Sequence, residues 1–216
     1  MKWKTPYIFN AEGEYLKPKE KLERYFLVGG FLSGSSFPVV DSKYPSFTGI
    51  KESGADYREY TLNNQHLNLL DMLSIPLLYA KTRSECSGKS KLIELQVQLF
   101  EYQPTIIICH SLGCYFMDEL YRQGFVFPTS IKEIRYVQAD VSKIMNPDVI
   151  NYCSWQDPVL HAAKIANLRF GLNSDAGLFG DPNHSNNRNE HPDLLAKHTG
   201  LYIVDWHLDS LNSMTK

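Results

Sequence analysis

The stretch that decides the fold is PTIIICHSLGCYFMDELYRQG, residues 104–124. Its apolar, β-branched run at 105–109 predicts a buried strand, and the apolar spacing over 112–122 predicts a helix. Only His110 and Ser111 separate the two elements. The chain must therefore turn sharply at Ser111, which leaves the Ser111 side chain held out at the carboxyl end of the strand.

Compact residues, Cys109 and Gly113, stand two positions before and two positions after Ser111. A strand and a helix joined by so sharp a turn cross closely, and larger side chains would collide there. The pattern is that of a nucleophile elbow, G-x-S-x-G, with Cys109 in place of the first glycine. There Ser111 lies at the positive end of the helix dipole, and the backbone N–H of Leu112 points at whatever Ser111 attacks. An ordinary helix N-cap is the alternative interpretation of Ser111.

Outward from this turn, short apolar runs alternate with helix-like segments along the chain. This alternation predicts an α/β fold with a mostly parallel central sheet and helices on both faces. The connection at 140–148 is short for a parallel crossover, and we expect a single helical turn there. The other predicted strands are 25–28, 57–62, 131–138, 149–155 and 200–206, and the other predicted helices are 89–102 and 157–168.

The length of 216 residues and the hydrophobic fraction of 43% fit one domain, 1–216, with a sizeable core. Residues 1–20 contain a candidate N-terminal hairpin. The polar stretch 173–197 is the least regular part of the chain and is expected to be a loop near the site. Because 140–148 is short, we predict little or no lid; any cap would come from 33–55 or 173–197.

The composition narrows the class of protein and its partners. A net charge of −2 gives no reason to expect nucleic acid as a partner. No segment has the apolar length of a signal peptide or a membrane span, so we expect no transmembrane segment and a cytoplasmic location. The four cysteines lack metal-ligand spacing and are expected to be reduced thiols, with a surface disulfide through Cys86 as the alternative.

Three segments together resemble the serine branch of the α/β-hydrolase superfamily. The first is HSLG after an apolar strand at Ser111. The second is LVGGFL at 27–32, which resembles the strand end that carries the second oxyanion donor, with Gly29 in place of the usual histidine. The third is SWQDPVL at 154–160, which resembles the strand end that carries the triad acid. The resemblance spans most of the chain as an order of elements and is sharp only over these short motifs.

The resemblance implies a compact α/β-hydrolase fold and a serine esterase activity. Ser111 would attack an ester or thioester of a small acyl substrate, and the backbone N–H groups of Phe31 and Leu112 would form the oxyanion hole. No cofactor and no metal is implied. One alternative is an acyltransferase, which would use the same triad but exclude water from the acyl-enzyme. Another is a catalytically silent binding protein of the same fold, which the replaced glycine and histidine of the usual pattern leave open.

In this superfamily the triad follows the chain order serine, acid, histidine. Asp140 and Asp157 both end predicted strands after Ser111. The resemblance favours Asp157, which follows the longer apolar strand and opens a helix, and Asp140 remains the alternative. Asp157 also suits a helix N-cap with Pro158 at the first helical position, and the two roles are compatible.

The resemblance implies a histidine base after the last strand, which is where the superfamily places it. His207 directly follows 200–206 and is therefore favoured, with His184 and His198 as alternatives. His110 precedes the nucleophile and is interpreted as structural.

A zinc site is a weaker hypothesis for the same region. It would use His184, His191 and Asp193, but their loop lacks the helical or cysteine-paired spacing of such sites.

Overall fold

The structure, a computed structural model, describes residues 8–9, 15–16, 23–31, 33, 36–37, 40–43, 47, 50, 54–62, 74–161, 164 and 175–188. The strands are β1 (Ile8–Phe9), β2 (Tyr15–Leu16), β3 (Arg24–Val28), β4 (Ser36–Phe37), β5 (Val40–Lys43), β6 (Asp56–Tyr60), β7 (Ile106–His110), β8 (Glu133–Val137), β9 (Val149–Tyr152) and β10 (Asn187–Arg188). The helices are α1 (Ile75–Cys86), α2 (Lys89–Tyr102), α3 (Leu112–Arg122) and α4 (Asp175–Phe179).

Six strands form one sheet in the order β10-β9-β8-β7-β3-β6, and every neighbouring pair in it is parallel. Separately, β1 pairs antiparallel with β2, and β4 with β5. The predicted α/β class with a mostly parallel sheet is confirmed. Because β7 lies inside the sheet, the turn at Ser111 is flanked by strand ends on both sides.

Both faces of the sheet are buried. Side chains alternate between the faces along each strand, so Phe26 and Val28 of β3 face one side while Tyr25 and Leu27 face the other. Helices α1, α2 and α3 pack on one another, and α3 packs on β3 and β7. The side chains that cover the first face from these helices include Cys86, Leu92, Leu95, Leu99, Phe116 and Leu120.

The second face buries Phe47 and Ile50 against alternate residues of the strands. Its buried cluster comprises Tyr25, Leu27, Phe47, Ile50, Ile106, Ile108, Val137 and Tyr152. A sheet covered in this way on both faces agrees with the near-continuous apolar runs of the central strands.

The connection between β8 and β9 differs from its prediction. Residues 138–148 contain bends and turns, and no helical turn occurs in this fully described stretch. The segment is held instead by buried carboxylates: Asp181 accepts a hydrogen bond from the Ile144 N–H at 2.9 Å, and Asp118 accepts one from the Met145 N–H at 3.0 Å. Side-chain acceptors thus replace the backbone pairing that a helix would supply.

Two elements lie within 173–197, the range expected to be a loop. Helix α4 packs beside β9, and β10 extends the sheet by one strand. The rest of that range outside 175–188, and the predicted strand 200–206, lie outside the described residues. No helix in the described part of the chain has both the length and the apolar character needed to cross a membrane.

The buried carboxyl group of Asp118 should make stability pH-dependent. Burial raises the pKa of Asp118 to about 6, although the N–H groups of Met145 and Asn146 oppose the shift. The folded state therefore binds this proton more tightly than the unfolded chain. The stabilisation that this proton gives the folded state falls by on the order of 2–3 kcal/mol as pH rises from about 4 to about 6.

We therefore expect Asp118→Asn to gain stability relative to the wild type as pH rises through this window. A hydrogen bond lost in the variant would lower the free energy of unfolding by the same amount at every pH. The pH dependence of that free energy therefore reports the titration of Asp118. Urea unfolding at several pH values measures it, and Asp148→Asn, an exposed carboxylate on the same loop, controls for the lost charge. A parallel pH profile of wild type and Asp118→Asn would contradict the expectation.

Candidate functional site

The ends of the parallel strands bring the candidate residues to one edge of the sheet, here called the carboxyl edge. The strand register aligns His110, Val137, Tyr152 and Arg188 in one row across β7, β8, β9 and β10. Ser111 is the residue that follows this row on β7. Residues that follow the other three strands start at the same level, as expected where parallel strands end together.

Ser111 has a backbone conformation that non-glycine residues rarely adopt, with φ 53° and ψ −121°. Such a conformation costs about 1–3 kcal/mol and persists only where the surrounding structure enforces it. The bonds that enforce it join the turn to β8: the Ser111 N–H donates to the Val137 carbonyl at 3.0 Å, and the Ser111 carbonyl accepts from the Asp140 N–H at 3.2 Å.

An ordinary N-cap does not describe Ser111. It occupies the N-cap position of α3, but its side chain makes no capping hydrogen bond to the helix. An ordinary cap has extended backbone and accepts from the second or third helical N–H. The strained backbone and the uncapped helix start both agree with the predicted elbow.

Gly113 lies where α3 crosses the end of β3. A Cβ atom at Gly113 would stand 2.5 Å from the Val28 carbonyl oxygen and 2.6 Å from that of Gly29. Both are backbone atoms of a buried strand end, so neither can move aside cheaply. The requirement for glycine at this position follows directly from the crossing.

Gly113→Ala should therefore destabilise the protein by about 1–3 kcal/mol through overpacking. The sign is diagnostic, because the same change at an open helical site would stabilise the helix by up to about 1 kcal/mol. Thermal or urea unfolding measures the difference. A variant as stable as the wild type, or more stable, would show that helix and strand do not cross closely at Gly113.

The end of β3 lies directly against the turn. A Cβ atom at Gly30 would stand 2.9 Å from the Ser111 Cβ and 3.2 Å from the His110 carbonyl oxygen. Phe31 follows Gly30, and its ring packs edge-on against Tyr79 at 5.3 Å between centroids. The two segments predicted to supply the oxyanion donors, at Phe31 and Leu112, are thus brought together beside Ser111.

Asp157 is fully buried beyond the end of β9. Its Oδ1 accepts hydrogen bonds from the N–H groups of Val159 and Leu160, each at 2.9 Å, which caps the helical residues 158–161. Its Oδ2 accepts from the Gln138 side-chain amide at 2.7 Å. Asp157 therefore performs the capping role expected from the sequence, and it does so at the carboxyl edge.

Asp140 belongs to a different buried cluster. Its Oδ2 accepts from Arg83 Nη1 at 3.0 Å and from the Tyr79 hydroxyl, and the Asp140 carbonyl accepts from Arg83 Nη1 at 2.9 Å. The guanidinium of Arg83 also lies over the Tyr115 ring, 3.9 Å from its centroid. This ion pair ties α1 to the end of β8, which gives the Asp140 carboxylate a structural partner and favours Asp157 as the acid.

The structure places His184 away from Ser111. His184 is buried, and its Nε2 donates to the Val149 carbonyl at 2.7 Å. Val149 starts β9 and is level with Ile107, four residues before Ser111, which is about 13 Å along the strand. His207 and His198 lie outside the described residues.

His110 is buried and stacks edge-on with Phe47 at 6.4 Å, on the second face of the sheet. This environment agrees with the structural role predicted for it.

Strand β10 introduces a histidine that the sequence did not single out as a base. Arg188 ends β10 in the same row as His110, and His191 is the third residue after it. Three residues can extend by about 10 Å. His191 itself lies outside the described residues, and only its distance along the chain from β10 is known. The sequence did not predict β10 because its two residues, NR, carry no strand propensity of their own.

The thiols near the turn are poor competitors of Ser111 as nucleophiles. All four cysteines are buried and free. Complete burial raises the pKa of Cys109 and of Cys114 well above the usual thiol value. Both stay protonated at neutral pH, and the thiolate is the reactive form.

Within the described residues, no three histidine, cysteine or acidic side chains are grouped so as to hold a metal ion. Of the suggested zinc ligands, His184 bonds the Val149 carbonyl, and His191 and Asp193 lie outside the described residues.

Comparisons with protein-family models, with curated proteins and with solved structures found no match to this chain. The α/β-hydrolase resemblance therefore rests on the residues and geometry given above.

Proposed function

We propose that the protein is a serine hydrolase that cleaves a carboxylic ester or thioester through an acyl-enzyme on Ser111. The observation that carries the proposal is the strained backbone of Ser111, φ 53° and ψ −121°, between a buried strand and a helix that its side chain does not cap. Such outliers concentrate at functional sites, where the strain aims a side chain. A purely structural serine would gain nothing from this conformation.

The proposed reaction proceeds in two displacements. The Ser111 Oγ attacks the acyl carbonyl while the histidine base takes its proton, and the resulting oxyanion accepts hydrogen bonds from the N–H groups of Leu112 and Phe31. The histidine then returns the proton to the leaving alcohol or thiol. Water repeats the attack on the acyl-enzyme and releases the acid. Asp157 orients the histidine throughout.

The identity of the histidine base is not fixed by the proposal: His207 and His191 are the main candidates, and His198 remains an alternative. His207 follows from the predicted strand 200–206, whereas His191 follows from the register of β10. We place His191 first, because β10 belongs to the same sheet as β7 and ends in the row that Ser111 follows. None of these histidines lies in the described residues, so mutation decides between them.

The proposal is tested by turnover of p-nitrophenyl esters of increasing acyl length, in buffer alone and with an added alcohol acceptor. A hydrolase releases p-nitrophenol and free acid in proportion. A new ester as the main product would instead identify an acyltransferase. Absence of turnover with every ester and with an acyl thioester would support a catalytically silent binding protein and contradict the proposal.

A further inference from the structure

Gln138, the residue that follows β8, combines two unusual features. It is almost fully buried, and its backbone is left-handed with φ 51°. Non-glycine residues avoid this region because Cβ approaches the following carbonyl. Its neighbour across the sheet end is Ser111, which also has positive φ. Two strained residues therefore stand side by side at the carboxyl edge.

The contacts of Gln138 connect it to the acid of the proposed triad. Its main-chain N–H donates to the Tyr152 carbonyl at 2.9 Å, which fixes the residue against the end of β9. Its side-chain Nε2 donates to Asp157 Oδ2 at 2.7 Å. The left-handed backbone thus aims a buried amide at one oxygen of one carboxylate.

The two oxygens of Asp157 have different partners. Oδ1 accepts from two backbone N–H groups, those of Val159 and Leu160, which matches the two lone pairs of a carboxylate oxygen. A histidine base would therefore share Oδ2 with the Gln138 amide. The amide donor and the helix start together set the plane of the carboxylate.

From this geometry we infer that Gln138 is a positioning residue, which holds Asp157 so that Oδ2 faces the N–H of the histidine base. The inference rests on the proposed function. The Gln138 amide is neutral, so it orients the carboxylate and stabilises its charge without cancelling it. A neighbouring lysine or arginine would instead weaken the attraction between Asp157 and the protonated histidine.

A merely structural role is the alternative, in which the amide only satisfies a buried carboxylate at a helix start. The two roles differ in their effect on the pH profile. Removing the Gln138 donor should let the Asp157 carboxylate turn away from the histidine, which weakens the hold of Asp157 on the histidinium. The acid limb of kcat/KM, which reports the pKa of the base in the free enzyme, would then move to lower pH. Lost stability alone would leave this limb in place.

The test compares Gln138→Gly with Gln103→Gly. Gln103 also has positive φ, 52°, but it is exposed at the end of α2, where its side-chain amide donates to the Phe100 carbonyl at 2.7 Å. Glycine adopts this conformation readily, so both variants should fold. We expect Gln138→Gly to lower kcat on an activated ester roughly tenfold or more and to move the acid limb to lower pH, and Gln103→Gly to change neither.

Gln138→Glu gives a second readout. A protonated carboxyl group at this position can donate the same hydrogen bond, whereas an ionised one repels Asp157. We expect activity closest to that of the wild type at the lowest pH of the profile and a progressive loss as pH rises.

A folded Gln138→Gly with the kcat and the acid limb of the wild type would overturn the inference and leave the proposed function intact. Wild-type turnover that persists in Ser111→Ala would overturn both.

Discussion

Ser111→Ala is expected to lower kcat/KM for a p-nitrophenyl ester by about 10⁴-fold or more, because the acyl-enzyme cannot form without the Oγ. The thermal unfolding midpoint should stay close to that of the wild type. The hydroxyl does not cap α3, so no capping bond is lost, and alanine has the same backbone restrictions as serine. Steady-state kinetics and thermal unfolding of one preparation measure both quantities.

The matched control is Ser130→Ala, which removes a serine hydroxyl from the loop before β8, at the opposite edge of the sheet. It should keep wild-type turnover. Full activity in Ser111→Ala, from a preparation free of contaminating esterase, would end the triad proposal.

The histidine base should show the second large effect. We expect His191→Ala to lower kcat by about 10³-fold or more and His207→Ala to change it little. Added imidazole should restore part of the activity of His191→Ala, since a small base can occupy the space left by the ring. An activated ester is the suitable substrate, because its good leaving group isolates the need for a base from the need for an acid.

His184→Ala is the control for losing a histidine that lies away from Ser111. It removes a buried histidine that bonds the Val149 carbonyl at the other edge, so it should lower stability and leave kcat unchanged. Loss of activity in His207→Ala, with His191→Ala active, would refute the register argument and support the predicted strand 200–206. Full activity in these three variants and in His198→Ala would require the triad proposal to be withdrawn.

The central turn could be predicted from the sequence because its signals are local. The predicted strand 105–109 differs from β7 by one residue at each end, and both ends of α2 and α3 agree with prediction. Helix α2 repeats leucines at 92, 95 and 99 on its buried face, and it stops at Gln103, in left-handed conformation before Pro104. Apolar periodicity and a following proline were enough to predict this helix and its end.

Elements with polar buried faces escaped prediction. Helix α1 buries Thr82, Arg83 and Cys86, and a buried face of this kind has no apolar period. Strand β10 is two polar residues that join the sheet partly through a side-chain bond, from Asn151 to Asn187 at 2.9 Å. Such elements depend on partners distant in sequence.

The candidate site likewise contains residues that the sequence could predict and contacts that it could not. Ser111, Gly113 and Asp157 could be predicted, because an elbow and a helix cap are patterns of neighbouring residues. The bond from Gln138 to Asp157 spans 19 positions, and that from Arg83 to Asp140 spans 57. No local pattern encodes either of them, and both bear on the proposal that Asp157 rather than Asp140 orients the base.

Labelling with a fluorophosphonate probe tests the central claim most directly, because the probe bonds only to a serine that its surroundings activate. Peptide mass spectrometry after reaction of the folded protein should find one adduct per chain, located on Ser111. The adduct should be absent after heat denaturation, which removes the strained turn and the base. A folded wild-type protein that gains no adduct, or gains it on another residue, would contradict the account of Ser111 as the nucleophile.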